Sequence, residues 1–305
     1  MYQYSIIQWL FFFYFYCFFG WVFETTYVSI RKRKFVNRGF MRGPFLPIYG
    51  SGGIMMLVVS MPFQDHIFLT YIAGCLGATL LELVTGVAME AIFKVRYWDY
   101  SDQKFNYKGH ICLSSTLAWG FLTILMTEFL HRGVEQIVFT IPEAVITVVT
   151  VIVSCTVLVD LTLSFKAAMD LRDILISLEK AKEEMERIQK RLDVLVAVAN
   201  DELETRITQR TMKMDELMDD IEDRFNSFKE RIKLEPAEFF EDVREEMLEL
   251  KARYLVEKEH RQHFKKLKGL YQRSLLMGNP SMRSIKFEEA LEELKKAAEE
   301  KLHKK

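Results

Sequence analysis

The sequence predicts an all-α protein: a polytopic membrane bundle of about five transmembrane helices, followed by a charged helical tail. Three observations lead there. Residues up to about Phe165 are mostly aromatic and aliphatic. Basic clusters alternate with the apolar segments. From Lys166 onward, hydrophobic residues recur at heptad spacing among Glu, Lys and Arg. The totals conceal this, because a net charge of -1 and 50% hydrophobic residues would also suit a soluble chain. The expected domains are a transmembrane domain, 1–165, and a cytoplasmic helical or coiled-coil domain, 166–305.

The first apolar segment runs from about Tyr4 to Ile30 and is long enough to cross a bilayer, which takes about 20 residues. It is also too long for a signal-peptide core, so it is expected to stay as a membrane helix. Arg31, Lys32, Arg33, Lys34, Arg38 and Arg42 follow it. Positive charge is retained on the cytoplasmic side, which puts the N-terminus outside and the tail inside. The second segment, about Pro44 to Met61, contains Pro47, Gly50, Gly52 and Gly53, so its first half is expected to be weakly helical. The third, about Ile67 to Phe93, carries Glu82 and Glu90. Lys94, Arg96, Lys104 and Lys108 mark a second cytoplasmic loop. The fourth segment is read as about Ile111 to Leu130. A short outer turn then leads to the fifth, about Ile137 to Phe165, with Asp160 near its inner end.

In the tail, Leu171, Ile174, Leu178, Ala181, Met185, Ile188, Leu192, Leu195 and Ala199 form a heptad seam suited to a coiled coil and to a homo-oligomer. A second pattern passes through Leu217, Ile221, Phe225, Phe228 and Ile232 and is interrupted at Pro236. A further helix is expected over about Ala237 to Leu276, then a turn at Gly278-Asn279-Pro280, then a charged helix from about Ser284.

One stretch echoes another. Phe35, Arg38, Gly39, Tyr49 and Gly50 fall opposite Phe105, Lys108, Gly109, Trp119 and Gly120 without a gap. Upstream, Glu24 in Gly20-Trp21-Val22-Phe23-Glu24 corresponds to Glu82 in Ala78-Thr79-Leu80-Leu81-Glu82. Both units enter the membrane in the same direction, so the pattern predicts two parallel hairpin repeats plus one further helix.

Carboxylates in hydrocarbon are costly and face a bundle interior or a wet cavity, with partners. Glu24, Arg38, Arg42 and Glu82 are therefore the candidate intramembrane polar or substrate site. Two readings stand: a cation or proton site, and a structural ion-pair network at the inner membrane edge. Arg38 and Arg42 also bracket a glycine turn suited to an anion such as lipid phosphate, or serve as cytoplasmic anchors. Trp98-Asp99-Tyr100-Ser101 reads as an aromatic clasp in which Asp99 caps a helix or pairs with an arginine of the first unit. No metal site, catalytic constellation or cofactor motif is read from the sequence. The four cysteines, Cys17, Cys75, Cys112 and Cys155, lie in or beside apolar segments without metal-ligand spacing. No phosphate loop is present, and the locally balanced tail gives no basis for nucleic-acid binding.

Asn37-Arg38-Gly39, Gly43-Pro44-Phe45, Pro47-Ile48-Tyr49-Gly50, Trp98-Asp99-Tyr100-Ser101, Phe105-Asn106, Gly109 and Ile111-Cys112-Leu113 together resemble the bacterial ABC-transporter type IV, or CmpB-like, permease family. The resemblance covers about Gly20 to Gly120, and the tail with Asn279-Pro280 is similar in layout. It implies a permease subunit of the bacterial inner membrane, with a separate ATPase subunit on its cytoplasmic side. It also marks Asn37, Gly39, Gly43, Pro44, Tyr49, Gly50, Trp98, Asp99, Tyr100, Asn106 and Gly109 as motif or packing residues. The expected function is thus a non-enzymatic permease subunit for a small solute or ion, in contact with membrane lipids. The competing expectation is a membrane scaffold or signalling protein that recruits partners through its tail.

Overall fold

The computed structural model describes residues 4–198, 214–232, 241–264 and 269–303. Among the described residues the secondary structure is helices joined by loops, with one short β-hairpin and one isolated β-bridge. Two compact units divide it: Met1–Arg172 with Lys268–Glu288 and Ala298–Lys305, and Asp173–Leu267 with Glu289–Ala297. The first unit holds the apolar helices. They are α1 (Ile6–Lys32), α2 (Pro47–Ser60), α3 (Ile67–Phe93), α4 (Leu113–Leu125), α5 (His131–Thr140) and the start of α6 (Glu143–Val198). Strands β1 (Asn106–Tyr107) and β2 (Ile111–Cys112) precede α4.

Among the described residues, four helical stretches are long and apolar enough to cross a membrane: α1, α3, Leu113–Thr140 and the apolar part of α6. The all-α membrane bundle is therefore present. The expected second span differs in length. Its helix α2 has 14 residues, about 21 Å at 1.5 Å per residue, against a hydrocarbon core of about 30 Å. Pro44 lies outside the helix and Pro47 opens it, where a missing N–H costs nothing. A single 3-10 turn, Met61–Phe63, extends the other end.

Two of the glycines of α2, Gly50 and Gly53, let it lie against α1. A methyl group on Gly50 would sit 2.4 Å from Cys17 Sγ and 2.7 Å from the Phe13 carbonyl oxygen. The second hairpin repeats the arrangement. A methyl on Gly120 would meet Cys75 Sγ at 2.6 Å, and one on Gly74 would meet Thr123 at 2.2 Å. Close backbone approach of this kind is how apolar helices gain packing energy when lipid is as apolar as their side chains.

The expected turn after Leu130 is helical instead. Residues Met126–Leu130 form one π-helical turn, and α5 continues to Thr140. Arg132 pairs with Glu128 one turn back at 2.5 Å and His131 is fully buried, so the polar residues that suggested a turn are satisfied in the helix. The helix ends before Ile141-Pro142, where the backbone of Ile141 is extended and proline removes a helical N–H.

In the second unit the seam of α6 is buried at Leu178, Ala181, Met185, Ile188, Leu192 and Leu195. Its lower part packs with Leu217, Ile221 and Phe225 of α7 (Met214–Ile232) and with Met247, Leu250 and Tyr254 of α8 (Glu241–Phe264). Near the start of the seam Leu175 is buried in place of Ile174, which is partly exposed. Ala199 and Pro236 lie outside the described residues. The helix expected to reach Leu276 is two: α8 ends at Phe264, and α9 (Leu270–Gly278) starts after Gly269. The last helix, α10 (Glu288–His303), begins later than Ser284. The Ser284 hydroxyl instead accepts from the Phe287 amide and donates to the Lys94 carbonyl.

Glycine substitutions separate packing from propensity. Gly50→Ala is expected to lower the thermal unfolding midpoint in detergent, because a backbone oxygen lies in the way. Gly52→Ala, with nothing within 4 Å, is expected to leave it unchanged or raise it through helix propensity, worth up to about 1 kcal/mol. Equal losses for both would contradict the packing.

Candidate functional site

Glu24 lies at the loop end of α1. Tyr49 Oη donates to its Oε1 at 2.6 Å, and Arg38 Nε stands 3.5 Å from its Oε2. The loop that brings Arg38 there is fixed by short-range bonds. Trp21 Nε1 donates to Asn37 Oδ1 at 2.6 Å, Asn37 Nδ2 donates to the Arg42 carbonyl at 2.6 Å, and the Arg38 amide donates to Thr25 Oγ1 at 3.2 Å. Gly39 has φ +129° and a methyl there would strike Leu46, so only glycine fits. The Gly43 amide donates to Asp160 Oδ2 at 2.8 Å, tying the loop to α6.

Glu82 is 5% exposed and takes three donors: Trp119 Nε1 at 3.0 Å, Tyr100 Oη at 2.9 Å and Ser115 Oγ at 3.3 Å. Tyr49 and Trp119, opposite one another in the sequence echo, thus each donate to the glutamate of their own hairpin. Burial, then the Glu82 carboxylate, hold the Tyr100 phenol above its usual range, and the charge of Glu24 adds to the effect.

Around Glu82 the second loop is also internally bonded. Trp98 Nε1 donates to the His110 carbonyl at 3.0 Å. Asn106 Nδ2 donates to the Ser101 and Gln103 carbonyls, and Asn106 Oδ1 accepts from the Gly109 amide at 3.0 Å. Gly109 has φ +73°, and a methyl there would meet Asp99 Oδ1 at 2.4 Å. Asp99 pairs with Arg96 at 3.5 Å and Arg283 at 3.7 Å, not with an arginine of the first loop. Burial opposes ionisation of Asp99, but the Ser101 hydroxyl and amide and then Arg96 hold its carboxyl below the usual range. Arg96 Nε also approaches Glu90 at 2.9 Å as an ion pair without hydrogen-bond alignment. His110 Nε2 lies 3.1 Å from the same carboxylate. Burial and then the Arg96 charge hold His110 below its ordinary value, so at neutral pH a neutral ring stands beside Glu90.

Of the four polar candidates, Glu24 and Arg38 meet directly. Glu82 is held by aromatic and hydroxyl donors. Arg42 joins neither glutamate; its guanidinium lies over the Tyr271 ring, 5.4 Å from the centroid.

A further part of the site lies far off in sequence. The turn after α9 seats itself on both loops. Asn279 Nδ2 donates to the Gly39 carbonyl at 2.8 Å and to the Leu275 carbonyl at 2.9 Å, while Asn279 Oδ1 accepts from Arg38 Nη1 at 3.0 Å. Arg38 also donates to the Gly278 carbonyl at 3.2 Å. A methyl on Gly278 would stand 2.4 Å from the Asn37 carbonyl oxygen. A few residues on, Arg283 and Arg96 exchange backbone hydrogen bonds of 2.9 and 2.7 Å as an antiparallel bridge. Ser281 donates to the Tyr97 carbonyl at 3.2 Å and Ser284 to the Lys94 carbonyl at 2.7 Å. The signal in the sequence was the turn-forming Gly278-Asn279-Pro280 itself, which carries no mark of where it docks.

Asn279→Ala removes both amide donors and leaves the buried Gly39 carbonyl without that partner, a loss of about 1–3 kcal/mol. The expected result is a lower unfolding midpoint for the full chain in detergent, with Asn279→Asp not restoring it. An unchanged midpoint would show the turn to be energetically idle. His110 gives a pH test. Its folded-state affinity for a proton is below that of the unfolded chain, so its contribution falls as pH drops below its ordinary 6.5. His110→Asn is expected to shrink the midpoint difference between about pH 7.5 and about pH 5; an undiminished difference would assign the acid sensitivity elsewhere.

The family model described as "Putative ABC-transporter type IV" matches residues 11–165, which hold both hairpins and Asp160 but not the turn at Asn279. No curated protein and no solved structure matches the chain. The match spans half of the sequence and covers Glu24, Arg38, Glu82 and the loops built around them: the chain belongs to the putative ABC-transporter type IV family.

Proposed function

We propose that the chain is the membrane subunit of a transporter for a small solute or ion, worked by a separate ATPase from its cytoplasmic side, with no covalent chemistry of its own. The observation that carries this is that two glutamates of the apolar bundle, Glu24 and Glu82, are each held by a ring donor of the next helix, Tyr49 and Trp119, at the end of the bundle where both basic loops lie. Paired carboxylates in a membrane domain are costly to keep unless they serve a pathway or its gate. With three donors on Glu82 and Tyr49 and Arg38 on Glu24, this state is a closed latch. Opening it requires moving α2 or α4 away from its glutamate.

The reading includes a bacterial inner-membrane location, with the N-terminus outside and the tail in the cytoplasm. It rests on the positive charge of both loops. It also treats the hairpins as a parallel repeat. Gly50 against Cys17 and Gly120 against Cys75 support this, as do the matched Tyr49–Glu24 and Trp119–Glu82 bonds. A second reading is a scaffold that recruits partners through its charged helical tail, a helical unit in which α7 and α8 of the same chain cover the lower α6 seam.

Glu82→Gln, which keeps one acceptor and removes the charge that holds the latch, is expected to let full-length protein in liposomes pass protons or monovalent cations about ten-fold or more faster than wild type, read with an entrapped pH dye and ion electrodes. Flux equal to that of empty liposomes for every ion tried, together with a defined oligomer of the full chain on cross-linking, would favour the scaffold.

A further inference from the structure

An open groove of about 650 Å³ lies beside the first loop. One wall is α6, through Cys155, Thr156 and Val159; the polar end is formed by Arg42, Asp160 and Tyr271. Nothing in the latch around Glu24 and Glu82 uses it. Arg42 is exposed and stacked on Tyr271, with no carboxylate within ion-pair distance among the described residues. Asp160 is held in place by the Gly43 amide at 2.8 Å. The groove therefore offers one cation and one anion at the polar end of an apolar wall.

The wall continues. Val148, Ile152, Cys155 and Val159 are spaced by four, three and four residues, lie on one face of α6 and are all exposed. From Val159 to Val148 the face runs about 16 Å, close to half of the roughly 30 Å hydrocarbon core. This is the reach of one acyl chain in one leaflet.

We propose that this groove binds a phospholipid with a zwitterionic primary-amine headgroup, of the phosphatidylethanolamine class. Its phosphate meets Arg42, its ammonium meets Asp160, and an acyl chain lies along Val159 to Val148. The charges decide the class. A phosphatidylglycerol brings an anion with no cation for Asp160. A phosphatidylcholine brings a cation without the N–H groups that a carboxylate accepts. Guanidinium is the side chain suited to holding phosphate through paired donors.

The test titrates full-length protein in detergent with dioleoyl phosphatidylethanolamine, phosphatidylglycerol and phosphatidylcholine, and reads bound lipid by native mass spectrometry. Wild type is expected to prefer phosphatidylethanolamine. Arg42→Gln should weaken it about ten-fold. Asp160→Asn keeps an acceptor for the Gly43 amide, and should lower phosphatidylethanolamine binding while raising phosphatidylglycerol binding. Thr156→Trp fills the groove without touching the Asp160–Gly43 bond; it should displace the lipid and serves if Asp160→Asn does not fold. Arg132→Gln, at the far end of the bundle, should change nothing. Equal binding of the three lipids by wild type, or an unchanged preference in both Asp160→Asn and Thr156→Trp, would overturn the proposal. So would displacement of the lipid by O-phosphoethanolamine at matching concentrations, which would make the ligand a soluble zwitterion.

Discussion

The carboxamide of Asn279 donates to the Gly39 and Leu275 carbonyls and accepts from Arg38, which also approaches Glu24. Much of the basic end of the bundle depends on this small network. Arg38 can reach Glu24 only while its loop is folded back over α1. The loop keeps that shape through Gly39, a backbone conformation closed to other residues. The turn that carries Asn279 then runs on to bond Tyr97, Lys94 and Arg96. One turn thus holds two loops that are separated in sequence by a full hairpin.

Those loops matter because of what stands behind them. A carboxylate in an apolar bundle must find donors, and the two glutamates find them differently. Glu24 uses a tyrosine and an arginine; Glu82 uses a tryptophan, a tyrosine and a serine. Two of these donors, Tyr49 and Trp119, sit on the helix that their own hairpin packs closely through glycine. Gly50 lies one residue after Tyr49 and Gly120 one after Trp119. The close approach that the glycines allow brings the ring to the acid. Packing and charge satisfaction are therefore one feature, and loosening either would loosen the other.

Much of this was legible in the sequence, for local reasons. Apolar length and flanking charge located α1, α3 and the membrane part of α6. The echo of Tyr49-Gly50 in Trp119-Gly120 pointed to positions that perform the same bond. Other features depend on contacts distant in sequence and were not legible. The polar run His131 to Glu135 looks like a turn until Tyr16 and Tyr4 are seen beside the buried His131, at 2.6 and 2.9 Å. Proline and glycine made α2 look weakly helical, because nothing local tells that the glycines face Cys17 and Tyr16. Asn279 announces a turn, but its partners lie some 240 residues away. Arg42 looked like a partner for a glutamate, and the ring it lies on, Tyr271, comes from the same distant segment.

Backbone hydrogen exchange of the full-length protein in nanodiscs reports whether one turn clasps both loops. It compares the wild type with Asn279→Ala at two places: the amide of Arg38 in the first loop and the amide of Arg96 in the second. A single turn clasping both loops predicts that protection falls at both sites together, although Asn279 bonds only the first. Faster exchange confined to Arg38, with Arg96 as protected as before, would show that the loops are held independently and would contradict the account.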